Sequence, residues 1–438
     1  MNTFCKILFI GFIGQLGFAQ NFDKVKLDNY FNALEINNKF MGSVAVAKNG
    51  VLIYSKAIGF SDLENAIKAN VNTTYKIGSI SKTFTAVLVL KAVEENKLKL
   101  HQTLDYYFPE VKNAEKITVE QLLTHRSGIH NFTDDFAYLF YNTQPKTEKE
   151  MLEIITNAGS DFEPDSKAAY SNSNYVLLTY ILEKSYETTY GELLQKHITE
   201  PLALKDTHFG WNDGLEKSQT KSYSYLEIWK PETVTDVSIP LGAGGIVSTP
   251  SDLVKFSAAL FNGKLLKKES LDFMKTIKEG YGMGLFTIPF YDKTGYGHTG
   301  GIDGFTSVFS YFPEDAVSYA LTSNGTNFNN NEISIAVLSA ILDKPYELPN
   351  FSTYQVNEKD LDSYSGLYAS TQIPLKITIT KEGNSLTAQA TGQSAFPLEA
   401  TAQHQFKFQQ AGIVLEFNPE EQTMILKQGG GEFLFKKE

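Results

Sequence analysis

Apolar residues recur at helical spacing over 22–38, with Val25, Leu27, Tyr30, Phe31 and Leu34 as the candidate buried side of a first helix. The pattern then changes to strand. Residues 43–48 and 51–55 flank Asn49-Gly50, a pair that accepts positive φ at little cost and so predicts a tight hairpin. From Thr83 to Val93 the chain is mostly apolar and free of Gly and Pro, which predicts a buried helix. A mixed helical and loop region follows over roughly 98–262, with 151–157 and 175–184 as its clearer helices. Strand signals return over 282–289 and 297–323, separated by turn residues at 292–295 and 302–304, and an apolar helix over 332–342 closes the region. A helix and strands at the start, a helical centre, then strands and a last helix predict an α+β fold whose antiparallel sheet is completed from both ends of the region.

The pattern changes once more at Asp343–Asn350, which holds two prolines. Beyond it, short alternating runs such as 375–380, 405–408, 413–417 and 429–435 are separated by turn residues, which predicts a small all-β barrel or sandwich. The expected organisation is a signal peptide over 1–19, a catalytic domain over 22–345, a linker over 346–356 and a small all-β accessory domain over 357–438. The first segment has a short basic start, an apolar run over 7–18 and small residues at Gly17 and Ala19, as an export signal requires. That run is too short for a comfortable membrane span, so a periplasmic or secreted location is expected.

Composition removes several classes of function. The 438 residues are 42% hydrophobic and 20% charged, ordinary values for globular domains. A formal net charge of -11 without any run of Lys and Arg argues against nucleic acid or an anionic membrane as partner. Cys5 is the only cysteine, which excludes an internal disulfide and, once the export signal is removed, a thiol nucleophile. The histidines show no metal-ligand spacing, so neither a metal nor a cofactor is expected.

Candidate chemistry begins at Ser79-Ile80-Ser81-Lys82. On a helix, residues three apart share a face, so a serine nucleophile and a lysine base can touch there. A buried lysine loses its charge readily and can take the serine proton. A second Ser-x-x-Lys, Ser218 to Lys221, sits in a polar stretch with no apolar helix behind it. Tyr170-Ser171-Asn172 falls in a polar loop before the helix at 175–184. Its tyrosine can trade protons with a serine, and its carboxamide can both donate and accept. Tyr30-Phe31-Asn32 has the same Tyr-x-Asn form but lies within the first helix, where its rings serve packing. His298-Thr299-Gly300-Gly301 opens a strand-like run beside which a substrate can lie. The rival Lys293-Thr294-Gly295 has the composition of a turn and is placed at a loop tip. The backbone N–H groups of Ser79 and Gly301 are the candidate oxyanion hole.

Ser-x-x-Lys, Tyr-x-Asn and His/Lys-Thr-Gly in this order resemble the penicillin-recognising serine hydrolases, the branch holding class C β-lactamases, DD-carboxypeptidases, D-aminopeptidases and related esterases. The stretches at 122–129, 201–207, 244–252 and 281–284 resemble it too, so the likeness covers about 40–345. It implies a DD-peptidase/β-lactamase-like fold, an antiparallel sheet with helices on both faces plus a helical subdomain. It implies that Ser79 is acylated, that Lys82 activates it, that Tyr170 shuttles the proton and that Asn172 holds the substrate amide. His298, Thr299 and Gly300 would line the side that holds a substrate carboxylate. The histidine form is more typical of the DD-carboxypeptidase and D-peptidase members, and histidine is a weaker anchor than lysine because it is not permanently charged. The expected substrate is therefore a D-amino-acid peptide. A β-lactam or a small ester is the alternative within the class, and a non-turnover penicillin-binding sensor is the alternative outside it. His125 and Arg126 are read as structural, with their helix stopping at Gly128, and Gly242 to Gly245 as a tight turn beside the site.

Overall fold

The computed structural model describes residues 22–211, 219–351, 354, 356–408, 411–428 and 431–438. The expected signal peptide over 1–19 and Ser218 lie outside the described residues, as does part of the expected linker. Among the described residues no helix is long and apolar enough to cross a membrane.

Strands β1 (Phe40–Lys48) and β2 (Val51–Ile58) form the expected hairpin, with Lys48 paired to Val51 across Asn49 and Gly50. Both turn residues take positive φ, 53° and 75°, the two left-handed positions that a type I′ turn needs. Strands β3 (Phe286–Phe290), β4 (Lys293–Ile302), β5 (Phe305–Phe312) and β6 (Val317–Thr326) follow late in the chain. The resulting six-stranded sheet has the order β3-β4-β5-β6-β1-β2, antiparallel throughout. The first strand of this sheet in chain order thus pairs with its last, as the alternation at the two ends of the region predicted.

Side chains alternate across β1, and this builds two cores. Val44 and Val46, with Tyr319 and Leu321 of β6, face helices α1 (Lys24–Ile36) and α5 (Asn330–Ile341) through Leu27, Tyr30, Phe31, Leu34, Ile333 and Val337. Ala45, Ala47 and Ala320 face the other way, toward α2 (Ser81–Glu94) and α4 (Pro250–Phe261). The small alanines let α4 approach closely, and there Phe84 and Phe256 stack with ring centroids 3.8 Å apart. Each such buried ring contributes about 1.5–3 kcal/mol. Val25 was expected to be buried in α1 but is exposed. It precedes Leu27 by two residues, about 200° around the helix, and so falls off the Leu27–Tyr30–Leu34 stripe. Helix α2 is buried on all sides from Ser81 to Leu90. It lies between the sheet and the helical part of the molecule, where α3 (Asn172–Tyr186) is equally enclosed.

Lys293-Thr294-Gly295 is not at a loop tip. These residues begin β4, paired with Phe290, Pro289 and Ile288, because Tyr291 takes a left-handed φ of 51° and makes the turn with Asp292. Residues 366–437 form a closed eight-stranded barrel in sequential order: β7 (Gly366–Ala369), β8 (Lys376–Glu382), β9 (Ser385–Ala390), β10 (Phe396–Ala402), β11 (Gln405–Phe408), β12 (Ile413–Asn418), β13 (Thr423–Gln428) and β14 (Gly431–Lys437). Pairing of Tyr368 with Lys437 closes it. Its interior holds a separate core that includes Leu386, Phe406, Leu415, Met424 and Phe435, with Leu361 and Tyr364 from the helix Glu358–Tyr364.

Candidate active site

Ser79 lies in a 3-10 turn, Gly78–Ile80, that runs directly into α2. Gly78 has a φ of 49°, and a Cβ there would stand 2.8 Å from the backbone nitrogen of Gly301. Only glycine fits both constraints. The turn and β4 therefore touch backbone to backbone. Gly300 is as confined, since a Cβ on it would lie 2.0 Å from the Ile77 carbonyl oxygen.

Lys82, in the first turn of α2, is wholly buried. Its Nζ lies 3.0 Å from Ser79 Oγ, 2.7 Å from Asn172 Oδ1 and 2.8 Å from the Ala243 carbonyl oxygen. Burial holds its pKa well below the ordinary lysine value. A neutral amine has two N–H bonds and one lone pair. With both N–H groups given to the two carbonyl acceptors, the lone pair faces Ser79 Oγ. The Tyr170 hydroxyl donates to the same Oγ at 2.7 Å. Burial pushes the Tyr170 phenol up, and its bond to Ser79 only partly offsets this, so the phenol keeps its proton near neutrality. Ser79 Oγ thus sits between a base that can take its proton and an acid that can supply one.

Helix α3 starts at Asn172 itself, three residues earlier than the periodicity indicated, because Ser171 is extended and ends the loop. Asn172 Nδ2 donates to Thr133 Oγ1 at 2.9 Å, and its backbone N–H donates to Asn131 Oδ1 at 2.9 Å. The carboxamide expected to hold a substrate amide is therefore already ordering Lys82. Ala243 belongs to one helical turn, Leu241–Gly244, where a tight turn was expected. Packing sets its position, since a Cβ on Gly242 would stand 2.5 Å from Thr179 Oγ1 and 2.6 Å from Thr85 Oγ1.

The loop bearing Tyr170 is held by the segment read as structural. Arg126 donates to Asp165 Oδ1 and its carbonyl oxygen at 2.5 and 2.6 Å, and to Glu279 at 2.8 Å. Glu279 also accepts from the Ala168 N–H at 2.8 Å. His125 Nδ1 accepts from the Ser171 N–H at 3.2 Å, and its ring lies 4.5 Å from that of Tyr170. The helix Val119–Leu123 is capped by Thr124 and followed by His125 with a left-handed φ of 57°, so it stops earlier than the expected stop at Gly128.

His298 departs from expectation. Its imidazole is 1% exposed, lies against Phe286 with ring centroids 4.2 Å apart, and is absent from the lining of the cleft. Nδ1 bonds the Thr299 carbonyl oxygen at 2.6 Å, which fixes the proton on Nδ1. Among the described residues Nε2 has no partner. Burial, then the nearby Lys82, pushes its pKa down to about 3. A neutral, enclosed ring cannot serve as the carboxylate anchor expected of it. Thr299 and Gly301, one residue to either side of Gly300, are exposed on the opposite face of β4. Lys293, on the same strand, is committed to Asp315 at 2.9 Å. Lys221 of the second Ser-x-x-Lys lies 2.9 Å from Glu64 and 3.0 Å from Asp62, which keeps it a cation and unsuited to act as a base.

The cleft over Ser79 has a volume of about 380 Å3. Ser79, Asn172, Ala243, Gly244 and Gly301 form its floor, and Phe132, Tyr138, Leu139, Ile239, Pro240 and Ile302 give it apolar walls. Asp303 and Glu232 also line it, but no Lys, Arg or His does among the described residues. Among those residues there is also no group of three His, Cys, Asp or Glu able to hold a metal. Sequence reasoning missed the roles of Ala243, Asn131 and Thr133. The Gly242–Gly245 cluster was a visible signal for the first, and nothing local pointed to the other two.

The Beta-lactamase family model matches residues 36–342. The chain belongs to this family and is a serine hydrolase of the penicillin-recognising type. It is similar to the teichoic acid D-alanine hydrolase of Staphylococcus aureus (strain MRSA252), with 29% identity over 334 residues, covering 73% of this chain and 79% of that protein. It is similar in structure to the D-amino acid amidase of Ochrobactrum anthropi SV3, with a TM-score of 0.65 and 26% identity over 72% of this chain and 98% of that one. The octameric penicillin-binding protein homologue from Pyrococcus abyssi shares the fold over 94% of this chain and 100% of its own, with a TM-score of 0.68 and 24% identity.

Proposed function

We propose that the protein is an exported hydrolase that cleaves D-aminoacyl amides or esters through an acyl-enzyme on Ser79. The observation that carries this reading is Ser79 Oγ held between Lys82 Nζ at 3.0 Å and the Tyr170 hydroxyl at 2.7 Å. Lys82 takes the serine proton as Oγ attacks the substrate carbonyl. The backbone N–H groups of Ser79 and Gly301 receive the oxyanion, and Tyr170 protonates the leaving nitrogen or oxygen. Water then attacks the acyl-enzyme, with the same groups working in reverse. Asn172 and Ala243 act through Lys82, by accepting the two N–H bonds that aim its lone pair.

The cleft favours one part of the expected substrate range. A DD-carboxypeptidase has to hold the carboxylate at the end of its peptide, and among the described residues no cation lines this cleft while His298 is neutral. A substrate whose leaving group carries no carboxylate suits it better. D-Amino-acid chemistry is supported by the names of the relatives, a D-alanine hydrolase and a D-amino acid amidase. Export is supported by the basic, apolar and small-residue pattern of residues 1–19. The test is a comparison of kcat/KM for D-alanine amide and a D-alanyl ester against N-acyl-D-alanyl-D-alanine. We expect the substrates without a carboxylate to be at least roughly tenfold better, which is about 1.4 kcal/mol of transition-state binding. Preference for the carboxylate-terminated peptide would return the assignment to the carboxypeptidases. A stable, unreleased adduct with all three would return it to the sensors.

A further inference from the structure

Two backbone segments meet under the cleft, and each supplies one of the amides assigned to the oxyanion. One runs from Lys76 to Ser79 and the other from Gly301 to Asp303. They touch at Gly78 and Gly301, where a Cβ on Gly78 would stand 2.8 Å from the Gly301 nitrogen. On the outer end of each segment stands one member of an ion pair. Lys76 Nζ lies 2.8 Å from Asp303 Oδ2, and the two side chains are only 8% and 6% exposed.

The remaining contacts of the pair are all made to hold it in place. Lys76 Nζ also donates to the Thr235 carbonyl oxygen at 2.9 Å. Asp303 Oδ2 accepts from the Thr235 N–H at 3.0 Å, and Oδ1 accepts from Thr235 Oγ1 at 2.5 Å. Asp303 lines the cleft, but its charge is matched by Lys76 and three donors occupy its oxygens. It is not a base for the reaction. Its backbone is in the left-handed region, with φ 51°, followed by Gly304 at 80°, in the turn between β4 and β5. The carboxylate clamped by Lys76 and Thr235 holds this turn, and with it the last residues of β4. Ser307 Oγ ties the same strands to the Ile77 carbonyl oxygen at 2.8 Å.

We propose that Lys76 and Asp303 are positioning residues whose buried ion pair locks together the two segments that carry the oxyanion amides of Ser79 and Gly301. The proposal rests on the acyl-enzyme reading above. Oxyanion donors work only when they are aimed in advance, and a misplacement of about 1 Å costs on the order of 100-fold in rate. A pair that served folding alone would move stability and leave the acylation step of the folded enzyme unchanged.

Removing one partner strands a buried charge and risks misfolding. The test therefore removes both, in the full chain, as Lys76→Met with Asp303→Asn. Asparagine keeps the left-handed backbone accessible. The acylation rate constant is read from the p-nitrophenolate burst with p-nitrophenyl acetate, and oxyanion binding from the affinity for phenylboronic acid, whose boron adds Ser79 Oγ and becomes a tetrahedral anion. Hydrogen exchange over 76–80 and 299–304 reports whether the clamp has opened. We expect exchange in both segments to rise, the acylation rate and boronate affinity to fall together by roughly 10- to 100-fold, and KM to stay within about threefold. Lys76→Arg, which keeps the cation, should stay within about threefold of wild type in rate. Wild-type acylation and boronate binding in a double variant whose exchange has risen would overturn the proposal. A wild-type chain that is never acylated is a different result, and it would overturn the acyl-enzyme reading on which the proposal stands.

Discussion

Lys82 has to be neutral to accept a proton, and its surroundings favour that form. It is wholly buried, no carboxylate contacts its Nζ among the described residues, and its partners are two carbonyl oxygens and a hydroxyl. Such a site disfavours the ammonium, so the pKa falls below that of free lysine and the base is present at lower pH. Acylation should therefore rise with pH through that depressed pKa and then level off. Replacing Lys82 with Arg leaves a guanidinium that does not deprotonate. The expected result for Lys82→Arg is loss of covalent labelling by a fluorescent penicillin or an aryl ester at every pH from 5 to 9, by about 1000-fold or more. Ser79→Ala should abolish labelling and Ser218→Ala should leave it intact. Labelling of the Lys82→Arg protein that recovers at high pH would remove Lys82 from the role of base. The residue types were legible here, because Ser-x-x-Lys ahead of an apolar run names both partners. The neutrality of His298 was not. A histidine on a strand can face substrate or core, and only the packing of Phe286 against its ring decides which.

At the scale of elements, the site is assembled from the ends of helices and the end of one strand. The 3-10 turn running into α2 brings Ser79 and Lys82 together, the start of α3 brings Asn172, and the single turn Leu241–Gly244 brings the Ala243 carbonyl oxygen. That last turn is wedged. Gly242 N–H donates to Thr179 Oγ1 at 3.0 Å, and its carbonyl oxygen accepts from Thr85 Oγ1 at 2.7 Å, so α2 and α3 grip it from two sides. Gly242→Ala puts a methyl group 2.5 Å from one hydroxyl and 2.6 Å from the other, and the turn has to move away. Overpacking of this kind costs about 1–3 kcal/mol. The specific expectation is an acylation rate lower by roughly tenfold or more, with the acid limb of the pH profile shifted, since Lys82 loses an acceptor that aims its lone pair. Unchanged kinetics in a folded Gly242→Ala protein would show that Ala243 does not order Lys82. Element types were largely readable from periodicity, whereas boundaries were not. The strand over 293–302 begins before the composition suggests, because Tyr291 rather than the Lys293–Gly295 stretch supplies the turn.

At the scale of the whole molecule, the described residues form three hydrophobic cores, two on opposite faces of the sheet and one inside the barrel. Every group assigned to the Ser79 site belongs to the part of the chain before Asn350. The barrel approaches the sheet part through Gly412, whose nearest neighbours there are Asn329 and Glu332 at the start of α5. Lys407 of the barrel also acts electrostatically on Glu332. A chain ending near Asn350 is thus expected to fold cooperatively and to be acylated by a small probe at a rate within about threefold of the full chain. Thermal unfolding of the truncated protein, followed by burst kinetics, measures both. A folded, monomeric truncation that cannot be acylated would show that the barrel helps to build the site and would move the domain boundary.

The sequence by itself determined the classes of element, the pairing of the early hairpin, the all-β ending and the closeness of the candidate nucleophile to its candidate base. These depend on local rules: side-chain period, turn chemistry and residues three apart on one helix. It also placed the antiparallel sheet in outline, because alternation at both ends of the region leaves few other ways to bury both faces. Tertiary structure alone decided what surrounds each group. It lowered the pKa of Lys82 and raised that of Tyr170, it turned Asn172 toward the lysine, and it withdrew His298 from the cleft. It also joined Lys76 to Asp303, residues 227 apart in the chain. Charge state and aim depend on desolvation and on partners distant in sequence, and no local pattern of residues encodes either.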